Sequence, residues 1–290
     1  MEGLIIRNIS NEYIVKNKSG IYPCRARGKF RKDKIIPLVG DKVIFDEKNN
    51  YILEIKQRKN YLIRPTVANI DQALIVTSVK SPNLDTNLLD KLLTIISYNN
   101  IEPIICFTKL DLLTSEEQQE ISKYINYYKK IGYKVVTNSN KENFTNLFRN
   151  KITVLTGQSG AGKSSLLNLL NPSLKLKTDE ISKALNRGKH TTRHTELYEL
   201  LDGYIVATPG FSQVDFHNMT KFDIRDNMKE MFENLHYCKY RDCLHIKEDK
   251  CRVKELVKTK EILASRYENY KNFIDSVNLL FEISESLLSE

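Results

Sequence analysis

The sequence predicts a multidomain α/β chain in three successive parts: an N-terminal β-barrel, a central domain built on a mainly parallel sheet, and a C-terminal helical domain. Three observations carry that reading. The hydrophobic rhythm changes near Val67 and again near Met219, a glycine-rich turn separates a strand from a helix in the middle part, and three of the five cysteines crowd between Cys238 and Cys251. At 290 residues the chain can bury a sizeable core and divide into more than one domain.

Residues 1–65 alternate short apolar stretches ("GLIIRNI", "EYIVKN", "KVIFDE", "YILEIK") with turn clusters such as "NKSG" and "EKNN". Short strands separated by turns predict a small barrel or sandwich. Residues 1–64 hold 15 Lys and Arg against 7 Asp and Glu, so +8 of the chain's net +9 lies in its first fifth. Such an excess predicts an anionic partner. Within it, Arg25, Arg27, Lys29 and Arg31 alternate with Cys24, Ala26, Gly28 and Phe30. On a strand that spacing makes one face wholly basic, a surface able to track RNA phosphates; its structural counterpart is a charge-protected edge strand.

Residues 66–219 change to longer units. "DQALIVTSV", "IEPIICF", "YKVVTNS" and "KITVLTG" read as strands, and "DTNLLDKLLTIISYN" and "SEEQQEISKYINYYKK" as helices. Alternating strands and helices imply a parallel sheet covered on both faces. The strand "KITVLT" runs into "GQSGAGKSS", residues Gly157, Gln158, Ser159, Gly160, Ala161, Gly162, Lys163, Ser164 and Ser165, and "SSLLNLL" continues as a helix. The run satisfies G-x-x-x-x-G-K-[ST]. Its glycines let backbone N–H groups close around phosphate oxygens at a helix N-terminus, Lys163 supplies a charge, and the Ser164 hydroxyl suits Mg²⁺.

Upstream, "TKLD" (Thr108, Lys109, Leu110, Asp111) falls at the end of a predicted strand. An Asp carboxylate there accepts from the ring N–H and the exocyclic amine of guanine, a donor pair adenine lacks. "TNSN" ends the next strand, where the backbone N–H near Ser139 is placed to meet the guanine keto oxygen. In an unpermuted GTPase the phosphate loop precedes these motifs. In a parallel sheet all such loops gather at one edge whatever the chain order, so the inverted order predicts a circularly permuted GTPase. "RGKHTTRHT" then supplies Thr191 or Thr192 to Mg²⁺ in a first switch, and "ATPGF" supplies the Gly210 N–H to the third phosphate in a second.

Residues 220–290 open with the helical pattern "FDIRDNMKEMFENL". Cys238, Cys243, His245 and Cys251 follow in the spacing C-x4-C-x-H-x5-C. Three thiolates and one imidazole saturate a tetrahedral Zn²⁺, which makes the expected site structural, one ion per chain. His236 is a rival ligand by proximity alone, and the preferred reading of His194, His217 and His236 is as surface or core residues. The chain ends in a helix with Leu263, Tyr267, Tyr270, Ile274, Val277 and Phe281 at four- and three-residue steps, a packing face.

The chain resembles, nearly end to end, the ribosome-small-subunit-dependent GTPase A family of bacterial ribosome-assembly factors. "RPTVANIDQALIV", "TKLD", "GQSGAGKSSLLN", "RGKHTTRHTELYEL", "TPGF" and "CKYRDCLHIKEDKC" carry the resemblance. It implies an oligonucleotide-binding barrel (OB-fold), a permuted GTPase domain and a zinc-containing helical domain. It also implies slow GTP hydrolysis stimulated by the small ribosomal subunit, rRNA among the contacts, and a hydrolytic role for His190, with Thr192 beside it in the first switch. Thr108 departs from the Asn of GTPases at large, and Ala207 stands where the family pattern places an Asp. Two other readings use the same residues: a guanine-nucleotide-dependent RNA-binding sensor with little hydrolysis, suggested by Ala207, and an adenine-nucleotide kinase or ATPase, which Asp111 disfavours. No apolar run is long enough for a membrane span, the start lacks a signal-peptide pattern, and five cysteines suit a reducing compartment. A cytoplasmic monomer is expected.

Overall fold

The computed structural model of the chain describes residues 1–9, 12–32, 35–63, 66–138, 142–172, 195–207, 215–216 and 218–288. The expected sites at Ser139, His190, Thr191, Thr192 and Gly210 lie outside these residues, as do His194 and His217.

Five strands close the N-terminal barrel: β1 (Glu2–Ile9), β2 (Glu12–Lys16), β3 (Ile21–Ala26), β4 (Lys42–Asp46) and β5 (Tyr51–Ile55), ordered β1-β2-β3-β5-β4. β1 pairs antiparallel with both β2 and β4, which shuts the ring, and β3 meets β5 in parallel. Alternate residues fill the interior, with Ile5, Val15, Cys24, Val43, Phe45 and Ile52 all fully buried. Five strands in this order form an OB-type barrel. The basic run departs from expectation. β3 ends at Ala26, and Gly28–Lys32 is a short helix, α1, so Lys29 and Arg31 do not continue the strand face of Arg25. The side chain of Phe30 explains the break: it is buried against the barrel core, and a helical turn delivers it there.

A hairpin of β6 (Tyr61–Ile63) and β7 (Thr66–Ala68) leads into the central sheet. That sheet contains β8 (Gln72–Ser78), β9 (Glu102–Thr108), β10 (Lys134–Thr137), β11 (Ile152–Gly157), β12 (Leu197–Leu200) and β13 (Gly203–Ala207), ordered β10-β9-β8-β11-β13-β12. All neighbours are parallel except the edge pair β12–β13. β8 and β11 are buried along their whole lengths, their apolar residues interrupted by polar ones such as Gln72, which donates to the Thr153 hydroxyl at 2.9 Å. Helices α2 (Thr86–Tyr98) and α3 (Ser115–Lys130) cover one face; α4 (Glu142–Phe148) and α5 (Lys163–Leu170) cover the other through Phe144, Leu147, Phe148, Leu166, Leu167 and Leu170.

The segment after Met219, expected to be helical, consists of α6 (Lys221–Asp226), α7 (Lys229–Glu233) and a 3-10 turn at Leu235–Tyr237. Asn227 ends α6 with its side chain on the Asp223 carbonyl, and Met228 at the junction is fully buried. After the cysteine segment come α8 (Arg252–Lys258) and the long α9 (Ala264–Leu288). Tyr270, Phe273, Ile274 and Val277 of α9 pack with Phe216, Met219, Ile224 and Met231 in a separate core that also takes Ile95 from α2.

Candidate functional site

The parallel register brings the C-terminal ends of β8, β9, β11 and β13 to one edge: Ser78 lies opposite Thr108, Gly157 opposite Val76, and Ala207 opposite Leu155. The glycine-rich loop leaves β11 at Gly157, whose φ of +125° and position 2.0 Å from the Val76 carbonyl oxygen, measured from a hypothetical Cβ, admit no side chain. Gly162, at φ +91°, sits at the N-cap of α5. Lys163 Nζ donates to the carbonyls of Gly157 (2.8 Å) and Gln158 (2.7 Å), so its ammonium lies across the loop that would hold phosphates. Burial pushes the Lys163 pKa down to about 8. Ser164 is buried in the first turn of α5, Ser165 faces outward, and Ala161 is enclosed.

Thr108 is buried at the end of β9 and donates its hydroxyl to the carbonyl of Ala161 at 2.7 Å, with the Thr77 carbonyl at 3.3 Å. The first residue of the guanine-recognition motif thus touches the phosphate loop itself. Lys109 adopts a left-handed conformation (φ +62°) and donates Nζ to the Ser81 carbonyl. Leu110 and Asp111 follow in a 3-10 turn, Leu110 against the core and Asp111 exposed. The capping box of Thr114 and Glu117 then starts α3. A carboxylate free in solvent at this edge, some residues from an anion-binding loop and tied to it through Thr108, suits a ligand carrying donor groups at one end and phosphates at the other.

Cys238, Cys243, His245 and Cys251 converge, their four ligand atoms lying within 4.8 Å of one another. Cys238 Sγ is 3.9 Å from Cys251 Sγ, and His245 Nδ1 is 3.5 and 3.3 Å from those two sulfurs. His245 Nε2 lies 3.1 Å from the Met231 carbonyl, which fixes Nε2 as the protonated nitrogen and turns Nδ1 toward the thiols. Burial pushes the Cys243 thiol up to about 12 and the His245 imidazole down to about 4, so a bound cation would displace thiol protons. Tyr267 and Tyr270 of α9 donate to the His245 and Leu244 carbonyls at 2.6 and 2.7 Å, bracing the loop from outside. His236 is exposed and stacks on Tyr237, outside the cluster.

In the barrel, Arg25, Arg27 and Lys29 are exposed, Arg25 on β3 and Lys29 on α1, so a basic surface wraps a barrel corner instead of striping a strand. A further group went unsignalled in the sequence. Arg266, 1% exposed, bonds Asp90 of α2 and Glu230 of α7 at 2.6 Å each. An Asp within an apolar helix stripe was the available clue.

A parallel sheet with a phosphate loop on a central strand, tied to a guanine-recognition loop encoded before it, defines a circularly permuted P-loop GTPase. The RsgA GTPase family model matches residues 55–217 and the RsgA N-terminal domain model residues 2–52, and the chain belongs to the RsgA GTPase family. A protein of Oceanobacillus iheyensis named small ribosomal subunit biogenesis GTPase RsgA 2 is 46% identical over 284 residues, 95% of this chain and 97% of its own. The Bacillus velezensis protein named small ribosomal subunit biogenesis GTPase RsgA is 47% identical over 287 residues with the same coverage. Among solved structures, YloQ, described as a circularly permuted GTPase, is 38% identical with a TM-score of 0.81 over 96% of this chain and 94% of its own. YjeQ from Thermotoga maritima is 32% identical with a TM-score of 0.83 over 95% and 98%.

Proposed function

We propose that the chain hydrolyses GTP in the late maturation of the small ribosomal subunit, and that the subunit stimulates a slow intrinsic turnover. The observation that carries the reading is the Thr108 hydroxyl on the Ala161 carbonyl, 2.7 Å, which joins base and phosphate recognition into one site despite their inverted order. The relatives named for small ribosomal subunit biogenesis support the biological setting.

In this reading Asp111 accepts from guanine, the stem of Lys109 lies along the base, and the Ser139 N–H meets the keto oxygen. The amides of Gly157–Ser165 and the Lys163 ammonium hold the phosphates. Ser164, with Thr191 or Thr192, would hold Mg²⁺, which supplies charge neutralisation across the phosphates. The Gly210 N–H meets the γ-phosphate, and His190 with Thr192 completes the hydrolytic site when the subunit is bound. Residues 1–65, 66–219 and 220–290 act as barrel, GTPase and zinc-binding units. Zinc suits the cysteine cluster on geometry: ligands at about 2.3 Å (S) and 2.0–2.1 Å (N) of a tetrahedral ion lie about 3.5–3.8 Å from one another, close to the 3.9, 3.5 and 3.3 Å separations here. Arg25, Arg27, Lys29 and Arg31 contact rRNA, and the protein works as a cytoplasmic monomer; among the described residues no helix is long and apolar enough to cross a membrane.

GTP turnover with and without purified small subunits tests the proposal, alongside competition between GDP and ADP. Stimulation by the subunit and preference for GDP are expected. Guanine preference without turnover in either condition would instead establish the nucleotide-dependent sensor that Ala207 suggests, and equal competition by ADP would remove the guanine reading.

A further inference from the structure

The turn between β8 and α2, "VKSPN", belongs to no nucleotide-binding motif, yet it touches both halves of the site. On the guanine side, the Val79 N–H donates to the Thr108 carbonyl at 3.2 Å, and the Ser81 carbonyl accepts from Lys109 Nζ. Lys80 Nζ meets both carboxylate oxygens of Glu117, at 2.9 and 2.7 Å, and Glu117 closes the capping box that starts the helix after the guanine motif. On the phosphate side, the Asn83 carbonyl accepts from Gln158 Nε2 at 3.3 Å, and Pro82 Cδ lies 3.4 Å from the Cβ position of Gly160. The turn is anchored beneath by Ser78, fully buried, whose hydroxyl donates to the Lys80 carbonyl at 2.8 Å, and beyond by Asp85, which caps α2.

We propose that Val79–Asn83 is a positioning element that fixes the spacing between the guanine-recognition loop and the phosphate loop, so that the two ends of one guanine nucleotide bind as a single ligand. The inference rests on the GTPase reading above. The gain in affinity from joining base and phosphates in one ligand requires both loops to be held at the spacing of that ligand; a loosened spacing lowers the effective concentration of the second end once the first is bound. None of the atoms that would touch nucleotide needs to change for that loss to occur. The positioning residues are Lys80, through Glu117, and Pro82, whose ring is the nearest group to the open side of Gly160 in the phosphate loop. The turn is also what a permuted chain needs: with the guanine motif and the phosphate loop separated by two strands and a long stretch of sequence, β8 between them is the one strand adjoining both β9 and β11.

The test uses the full chain and two variants, Pro82→Gly, which frees the turn, and Lys80→Met, which removes its tie to Glu117. Dissociation constants are measured for GDP, guanosine and pyrophosphate, with thermal midpoints alongside. For Pro82→Gly, GDP should weaken about tenfold while guanosine and pyrophosphate alone change less than about twofold; Lys80→Met should follow the same pattern more weakly, because the ion pair is half exposed. Unchanged GDP affinity in Pro82→Gly would overturn the proposal. So would a proportional loss for all three ligands with a lowered midpoint, which marks a merely structural turn. A wild-type protein that binds GDP no better than ADP would overturn the GTPase reading, and the spacing argument with it, and is distinguished by failing before any variant is made.

Discussion

Replacing Arg266 with Met should destabilise the attachment of the C-terminal domain more than any single surface change. The guanidinium donates Nη1 to Asp90 Oδ1 (2.6 Å), Nε to Glu230 Oε1 (2.6 Å) and Nη2 to Glu230 Oε2 (3.2 Å), between the rings of Tyr128 and Tyr133. Asp90 also accepts from Tyr128 (2.6 Å) and Asn269 (2.7 Å), and Glu230 from Tyr127 (3.0 Å). All three charged groups are buried. Methionine fills much of the volume but leaves two carboxylates without a cation, a loss of about 3–5 kcal/mol, which for a chain of this size lowers the melting midpoint by on the order of 10 °C. The sign of the pH dependence is also fixed. Burial raises the Glu230 pKa, but the Arg266 charge and hydrogen bonds outweigh it and hold that carboxyl below its ordinary value; for Asp90 burial prevails and pushes it up. Without Arg266 both rise, so the native state binds protons the unfolded chain does not, and the variant's deficit should grow from pH 5 to pH 7. Urea melts followed by tyrosine absorbance and near-ultraviolet dichroism would read this, with Arg266→Met/Asp90→Asn/Glu230→Gln expected to recover part of the loss. A deficit below about 1 kcal/mol, or one that shrinks as pH rises, would show that the carboxylates find other partners and refute the reasoning.

Cys243→Ser should release the metal and loosen the C-terminal core while GDP binding survives; full metal occupancy measured in the variant would exclude the ligand set. Changing Arg25, Arg27 and Lys29 to Ala should weaken subunit binding and reduce its log–log salt slope by about two to three units, and an unchanged slope would return these residues to surface solvation. Because Lys163 is held near a pKa of about 8 by burial, and bound phosphate favours its ammonium, GDP affinity should be flat below that pH and fall above it; a Lys163→Met variant should bind weakly with no such dependence, and a flat wild-type profile in titration calorimetry would count against the phosphate contact. Ala207→Asp should tighten Mg²⁺-dependent GTP binding, affect GDP less and raise subunit-stimulated turnover by ~10-fold, since a carboxylate there would orient metal-bound water; equal Mg²⁺ dependence in the two proteins would show that it is dispensable.

Local sequence signals account for most of the fold. β8 and β11 were legible because each is a short, mostly apolar segment bounded by turns, and α3 because its length coincides with the periodic segment that its capping box opens. The metal cluster was legible because four ligands of matching chemistry lie within a short stretch. The strand reading of the basic run failed for a physical reason. Alternation from Arg25 to Arg31 satisfies a strand, but Phe30 reaches the barrel core only from a helical turn, and the competing claim of a distant core does not appear in a local pattern. The break between α6 and α7 likewise follows from Met228, which the C-terminal core takes in. The Arg266 network was illegible as a network because Asp90, Glu230 and Arg266 are scattered through the chain; Asp90 alone stands out, in an apolar helix stripe, and nothing local names its partners.

That network and the β8–α2 turn together give α2 a position no sequence motif assigns to it. Its first turn, capped by Asp85, follows directly on Asn83, which holds Gln158 of the phosphate loop. Its middle carries Asp90, bound to Arg266 of α9, and Lys91, which pairs with Asp215 and lies over Phe216. Phe216 in turn packs on Phe273 of α9. Further along, Ile95 enters the C-terminal core and the Tyr98 hydroxyl reaches the Asn218 carbonyl at 3.2 Å. The same rigid helix is therefore fastened at one end to the loop that would hold phosphates and along its side to the domain that carries the metal cluster. His245 completes the connection, because its Nε2 contacts the carbonyl of Met231, the residue after Glu230. A load on the cysteine loop reaches α2 through α7 and Arg266, entirely through buried contacts; the barrel joins the central sheet through a continuous buried core from Ile5 and Val39 through Val67 and Ile70 to Ile75, with the Asn69 amide on the Gly40 carbonyl at 2.9 Å, and carries the half-exposed Arg7–Glu196 and Lys16–Glu199 pairs beside β12. Buried, multiply bonded contacts hold one geometry and exposed ion pairs yield. The C-terminal domain, whose core is otherwise separate, should thus move with the nucleotide site as one body.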